Sequence, residues 1–505
     1  MTQFIHDTLQ ESSAHGQAAI TVSGTSTGPE RAGSDAGPGR EPISRAAGGH
    51  ARRPMLPRAA VFWLVAGVFV LLFFAAAAPS PLYGVYQAQW RFSATTLTAV
   101  FAAYALFLLV TLLVFGSVSD YLGRRRVILA GLAMAAGACG LFLEAHGVGM
   151  LFAARALQGA AVGTATSAIG AALIDLQPEG STRAPVVTTA AALLGLAAGG
   201  LGASALVQYG PAPTHLVWWL LIGISVAAAI AVLAMPETTP GRRPGVLASL
   251  RLRVAIPRQA RRTFATALPC MIAVWMISGF YLSLGPSLAA QVLHSSDLLW
   301  GGFVIFLLAG VGAGASVAFR HASGPAAMLA GCLALPAGAV VTLAAIETTS
   351  AAVLLTGTVV AGAGFGTAML GAFRTVSALA APGRRAGLIA AYFIVSYAAF
   401  SIPVVAAGVA ITHVGLHRTA LVYCAAVAVL AAAAAGSLIY GRRSRSDAPS
   451  SGRHEPAAAG HGNARAMTAR TTPDTTTPLA DLAAGGRAAG SAERTSGAGP
   501  EQTNE

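Results

Sequence analysis

Charged residues make up only 10% of this 505-residue chain, so the few that interrupt its apolar stretches are where chemistry must be sought. Residues 116–126 read GSVSDYLGRRR, placing Asp120 four residues after Gly116 and next to the arginine triplet Arg124, Arg125 and Arg126. A spacing of four puts Gly116 and Asp120 on one helical face, where the glycine permits close approach of a neighbour and the carboxylate meets a donor. Gly123 can take positive φ and turn the chain sharply. A second cluster, Arg155, Gln158 and Gly159, lies several residues inside an apolar stretch, where an arginine costs roughly 2.5–3.5 kcal/mol by insertion scales. Such groups form ion pairs and hydrogen bonds; they do not make a catalytic constellation. The sequence has no GxxxxGK[ST], HExxH or CxxC element, and because it contains no lysine a Walker lysine is impossible. Cys139, Cys270, Cys332 and Cys424 all fall within apolar stretches and read as small buried hydrophobes, so neither a metal nor another cofactor is implied.

The elements that must position these residues are membrane helices. The chain is 55% hydrophobic with a mean hydropathy of +0.65, and residues 59–78 run for twenty positions without a charge. About twenty apolar residues cross the hydrocarbon core of a bilayer. Hydropathy predicts twelve spans over 59–86, 95–116, 126–145, 149–174, 185–208, 214–235, 263–290, 299–320, 324–346, 350–374, 386–411 and 418–440. Residues 1–57 and 442–505 are rich in small and polar residues with no apolar period, and both read as disordered tails. A basic linker, residues 237–262, separates two halves of six spans each, 58–236 and 263–441, and its VLASLRLRVAI stretch is compatible with a short amphipathic helix at the membrane surface.

The halves echo each other. Pro79 and Pro81 lie near the end of the first span and Pro286 near the end of the seventh, and PEGSTRAP before the fifth span answers APGRRAG before the eleventh. Duplicated bundles of this kind suit alternating access. The arginines orient the chain: with the N-terminus inside, the inner side collects Arg58, Arg124–Arg126, Arg183, seven linker arginines, Arg384 and Arg385, whereas the outer loops hold only Arg91 and Arg418. The positive-inside rule therefore predicts two cytoplasmic termini, in a cell (plasma) membrane, and accounts for the net charge of +13 without nucleic acid as a partner.

GSVSDYLGRRR resembles the loop signature G-x-L-x-D-x-x-G-R-[RK] of the major facilitator superfamily and sits between the second and third spans, as that signature does; Val118 replaces its leucine. The resemblance, which covers about residues 58–441, implies an all-α integral membrane protein of twelve transmembrane helices in two pseudo-symmetric six-helix bundles. It implies that Asp120 docks on the N-terminal end of the eleventh span near Gly387, where the helix dipole stabilises a carboxylate, and that this latch bridges the bundles when the outer side is open. Arg155, Gln158 and Gly159 resemble the family's R-x-x-Q-G element, which implies a role in substrate binding or proton transfer. Snorkelling toward the outer face is the other reading of Arg155, and Glu144 and His146 are plausible partners in either.

GLAAGGLG, with Gly195, Gly199 and Gly200, resembles the fifth-helix signature of drug/proton antiporters, except that Leu196 stands in place of proline. Whatever the substrate, those glycines suit close helix packing. Asp175 and Arg183, with Arg384 and Arg385 at the matching loop, are candidates for a cytoplasmic charge network. The polar and aromatic residues expected at a central cavity are Tyr83, Tyr104, Trp275, Tyr281, Arg374, Tyr392, Ser396 and Tyr397, with Tyr281 near Pro286 and Tyr397 near Pro403, where kinked helices expose backbone. No span carries an Asp or Glu near its centre, so a proton-coupling group would have to be Asp120, Asp175, Glu144 or His294. The function expected is secondary transport by a monomer working with lipids, a small-molecule substrate and protons, foremost efflux of a small hydrophobic or drug-like compound. Import or uniport of a metabolite is the alternative, and a non-transporting membrane sensor or scaffold is the alternative of another class.

Overall fold

The structure, a computed structural model, describes residues 56–181, 183–238, 254, 256–379 and 385–446. Residues 1–55 and 447–505 of the tails expected to be disordered, Arg384 and most of the basic linker with its expected amphipathic helix lie outside the described residues, whereas residues 442–446, expected in the disordered tail, continue the last helix. Among the described residues every regular element is helical, and eleven helices are long and apolar enough to cross a membrane. They are Arg58–Trp90, Ala94–Phe115, Arg124–Leu143, Val148–Leu176, Arg183–Tyr209 and Leu216–Leu233, then Arg258–Ser283, Leu298–Ala318, Gly324–Thr348, Ala351–Ala378 and Gly387–Tyr440.

The last of these is 54 residues long. At 1.5 Å rise per residue it would measure about 80 Å, far more than a bilayer. Gly415 breaks it with φ 80° and ψ 165°, a conformation open to a residue without Cβ. Both sides of the break return to one turn of the seventh span: Phe400 packs over Gly279, and Tyr423 stacks on Phe280 and donates its hydroxyl to the Met276 carbonyl at 3.0 Å. The segment is therefore two antiparallel crossings, the eleventh and twelfth spans of the expected set.

Prolines lie beside a break in the helix at the ends of the first and seventh spans. The first is a helix over Arg58–Ala77 and a second over Pro79–Trp90, with Ala78 alone between them. The seventh ends at Ser283, and Pro286 lies in the first turn of the following helix, Gly285–Leu293. Proline fits the first turn of a helix because its missing N–H has no intrahelical acceptor there anyway. Large apolar side chains such as Trp63, Ile230, Val422 and Val429 remain 64–71% exposed around the helices, the surface expected of a protein that faces lipid.

The two halves meet at the end of the molecule opposite the GSVSDYLGRRR loop, here called the far end. There Gln208 Oε1 accepts from the Leu298 backbone N–H at 3.2 Å, and the Thr95 hydroxyl donates to the Gly408 carbonyl at 3.2 Å. Small residues make these approaches possible. A Cβ on Gly200 would lie 2.6 Å from Ile305 Cγ2, and one on Gly408 would lie 2.8 Å from Thr98 Cβ. The fifth span thus uses its glycines in two directions. Gly195 and Gly199 seat it on Phe73 and Phe74 of the first span, while Gly200 faces the eighth span of the other half.

Candidate functional site

The centre of the site begins with a carbonyl. Proline at position 79 has no N–H to give the Ala75 oxygen its helical partner. Gln158 Nε2, on the fourth span, supplies that donor at 2.8 Å. One turn earlier on the same face, Arg155 Nη1 donates to the Ala76 carbonyl at 3.0 Å and to Gln158 Oε1. Gly159 completes the motif by letting the fourth span touch the second, since a Cβ there would lie 2.9 Å from the Tyr104 carbonyl carbon. The three residues divide the work, with the arginine providing charge, the glutamine repairing the kinked helix and the glycine setting the spacing.

Arg155 does not snorkel. It is 1% exposed, and its guanidinium carbon lies 4.4 Å from the centre of the Tyr104 ring and 5.5 Å from that of Phe101. Glu144 and His146 are not its hydrogen-bonding partners in this structure; both are exposed, and the His146 ring engages the Glu144 carbonyl. From Arg155 an aromatic chain crosses between the halves. Phe101 packs on Phe400 of the eleventh span at 5.1 Å between ring centres, Phe400 meets Trp275 edge-on at 6.0 Å, and Trp275 lies 5.1 Å from Tyr397. Tyr392 packs on Phe373 and Phe393 just behind this group, and the buried Tyr83 hydroxyl has no hydrogen-bond partner.

Two expected cavity residues have other duties. The Tyr281 hydroxyl is shared with Thr342 at 3.0 Å and Thr358 at 3.2 Å, which ties the seventh, ninth and tenth spans together inside the second half. Arg374 donates to the carbonyls of Arg320 and Ala322, each at 3.0 Å, and so closes the loop between the eighth and ninth spans. Pro403 lies inside the eleventh span, three residues beyond Phe400.

At the loop end, Gly116 continues the second span in helical conformation and Gly123 takes φ 100°, as the turn requires. The carboxylate of Asp120 is 54% exposed and pairs with Arg124 at 2.6 Å. Arg124 also reaches Asp175 at 3.2 Å and the Ser119 hydroxyl at 2.9 Å, so Asp175 does join the loop in one charge network. Arg183 is exposed, its backbone N–H bonded to Ser181; the side chain of Arg385 and the whole of Arg384 lie outside the described residues, as do residues 380–384 before the eleventh span.

Sequence reasoning missed Glu237, which reads in the sequence only as the end of the sixth span. Its carboxylate accepts from the backbone N–H of Arg124 at 2.7 Å and of Arg125 at 3.5 Å, so it caps the positive N-terminus of the third span. Arg125 answers by donating to the Met235 carbonyl at 3.1 Å, one of the acceptors left over at the end of the sixth span. A Cβ on Gly123 would lie 2.8 Å from the Glu237 carboxyl carbon, which gives that glycine a second reason beside its φ. The available signal was the lone acid in a linker of seven arginines.

Comparison with known proteins fits this geometry. The sequence profile of the Major Facilitator Superfamily matches residues 64–402. The chain belongs to the major facilitator superfamily. No curated protein matches it. Among solved structures, the human organic anion transporter MFSD10 (TETRAN) superposes with a TM-score of 0.55 at 18% identity, over 75% of this chain and all (100%) of that one. A mutant of the nucleoside transporter NupG superposes with a TM-score of 0.59 at 12% identity, over 75% of this chain and 99% of that one. At such identities the likeness is one of fold. The superfamily chain is thus a multi-pass membrane transporter whose two halves enclose an arginine and an aromatic cluster.

Replacing Gln158 with leucine orphans the Ala75 carbonyl inside the first half, and an unsatisfied buried acceptor costs about 1–3 kcal/mol. The expected result is a lower thermal unfolding midpoint in detergent, with Gln158→Glu milder because its oxygens still meet Arg155. An unchanged midpoint for Gln158→Leu would show that the bond does not support the kink.

Proposed function

We propose that this transporter works by alternating access as a proton-coupled exporter of a small hydrophobic or drug-like molecule, in a plasma membrane with both termini cytoplasmic. The observation that carries this reading is the seam at Arg155: one buried cation from the first half faces Phe400, Trp275 and Tyr397 of the second across Phe101. A site contributed by both halves is what rocking bundles can open to either side in turn. Its aromatic lining favours a solute with apolar rings over a polyhydroxylated one. The arginines at the loop end support a cytoplasmic placement of that end.

In this placement the far end is the outer side, closed here by the contacts at Gly200 and Gly408, and the half-exposed Asp120 belongs to a released latch. Docking of Asp120 on the eleventh span would be made in the opposite, outward-open state and would hold it. Asp120→Asn keeps the shape of the side chain and removes its charge, so it should leave expression intact and slow transport severalfold.

The test uses inside-out vesicles from cells overproducing the protein, with a preset pH gradient and a panel of cationic, neutral and anionic compounds. Compound-dependent proton release, reduced in Asp120→Asn, is the expected result. Compound flux with no proton movement would remove the coupling and favour the second reading, a uniporter or importer of a small metabolite. The observation behind that reading is that no described span carries a carboxylate near its centre.

A further inference from the structure

Arg155 is a permanent cation, because a guanidinium does not lose its proton in proteins. Among the described residues, side-chain ion pairs join Asp120 and Asp175 to Arg124, and Glu347 to His417; none includes Arg155. Its hydrogen-bond acceptors are neutral oxygens, both taken from Nη1, and its Nε–H is buried with no acceptor. A buried charge is normally retained only with an opposite charge and satisfied hydrogen bonds. Faces of Tyr104 and Phe101 soften the cost but carry no net charge. The site is therefore short of one negative charge, and its unspent buried donors include Arg155 Nε–H, the Tyr83 hydroxyl and Trp275 Nε1–H.

We propose that the substrate is a small aromatic monoanion, a carboxylate whose charge is the counter-ion of Arg155 and whose ring packs among Phe101, Phe400, Trp275 and Tyr397. The inference rests on the transporter reading and narrows it. One cation calls for one anion: a second negative charge would be buried without a partner, and a cationic substrate would sit beside Arg155 in a low-dielectric seam. A neutral aromatic makes the same ring contacts but leaves the guanidinium uncompensated.

The full chain in lipid nanodiscs is tested by equilibrium dialysis with three probes of one shape: 2-naphthoate, 2-naphthylmethanol and 2-naphthylmethylammonium. The anion should bind at least about tenfold tighter than the alcohol, the order of difference made by one charge-assisted hydrogen bond, and the ammonium weakest of the three. In Arg155→Gln the preference for the anion should vanish while binding of the alcohol persists. Arg155→Lys retains the charge on a different donor geometry and should keep a reduced preference, which decides the matter should the glutamine variant fail to fold. Wild-type protein that binds the anion no tighter than the alcohol, or a folded Arg155→Gln that keeps the preference, overturns the proposal. Vesicle flux of neutral or cationic compounds without any preference for anions would overturn this substrate class and leave the transporter reading standing, whereas no compound-dependent flux of any kind would remove the transporter reading itself.

Discussion

Gly408→Leu should produce a folded, membrane-inserted protein whose transport falls about ten- to a hundredfold, the range expected if overpacking costs the closed state about 1–3 kcal/mol. The side chain has nowhere to go. A Cβ on Gly408 already falls 2.8 Å from Thr98 Cβ and Cγ2, and the Gly408 carbonyl is held by Thr95 from the other half. Leucine can therefore be accommodated only when the second and eleventh spans draw apart, which is to say when the far end is open. The variant should accumulate in that state, because a substitution shifts a two-state equilibrium by its differential cost in the two states. The measurement is labelling of Phe101→Cys by a membrane-impermeant thiol reagent from outside the cell, with and without Gly408→Leu. Faster labelling in the leucine background is expected, and equal labelling together with full transport would show that the far end does not gate.

Arg155→Ala should be the other severe loss. It removes the hydrogen bond to the Ala76 carbonyl and the one to Gln158, and it strips the cation from the Tyr104 face. Hydrogen bonds to a charged group are worth about 1.5–3 kcal/mol each, so transport should drop by about tenfold or more. Stability should respond differently, since deleting an uncompensated buried charge relieves a cost even as it opens a small cavity. A thermal midpoint near that of the unaltered protein combined with lost transport would assign Arg155 to function. Transport unchanged from that of the unaltered protein would return it to a packing role.

Much of the fold was legible because a bilayer sets a length. Twenty-residue apolar runs separated by arginine-bearing loops gave helix positions that the structure reproduces to within a few residues, with two exceptions: the seventh span runs Arg258–Ser283 against the expected 263–290, with a separate helix over Gly285–Leu293, and the turn between the last two spans is so tight that only Gly415 interrupts helical geometry. The loop signature was legible because Gly123 and its charges serve local geometry, and local geometry is written in adjacent residues. Arg155, Gln158 and Gly159 were visible as a motif, and Pro79 as a kink, but the bond from Gln158 to the Ala75 carbonyl that unites them spans 83 residues of sequence.

The missed features share a physical cause. In a membrane protein the face toward lipid and the face toward a neighbouring helix are both apolar, so hydropathy cannot tell Gly408 at the seam from Gly67, which has open space beside it. Glu237 was hidden for another reason: its partners are backbone N–H groups, which no residue pattern announces. Tyr281 drew attention for its place near Pro286, yet its hydroxyl is consumed by two threonines from the ninth and tenth spans.

The most direct test of alternating access is a pair of spin-label distance measurements in nanodiscs, one across the far end between Tyr209 and Ser296 and one across the loop end between Leu122 and Ala378. These four positions are exposed, so labels should not disturb packing. Two populations are predicted at each end, with substrate, pH or Gly408→Leu lengthening the far-end distance as it shortens the loop-end one. Single, fixed distances at both ends under every condition would contradict a transporter whose halves rock about the Arg155 seam.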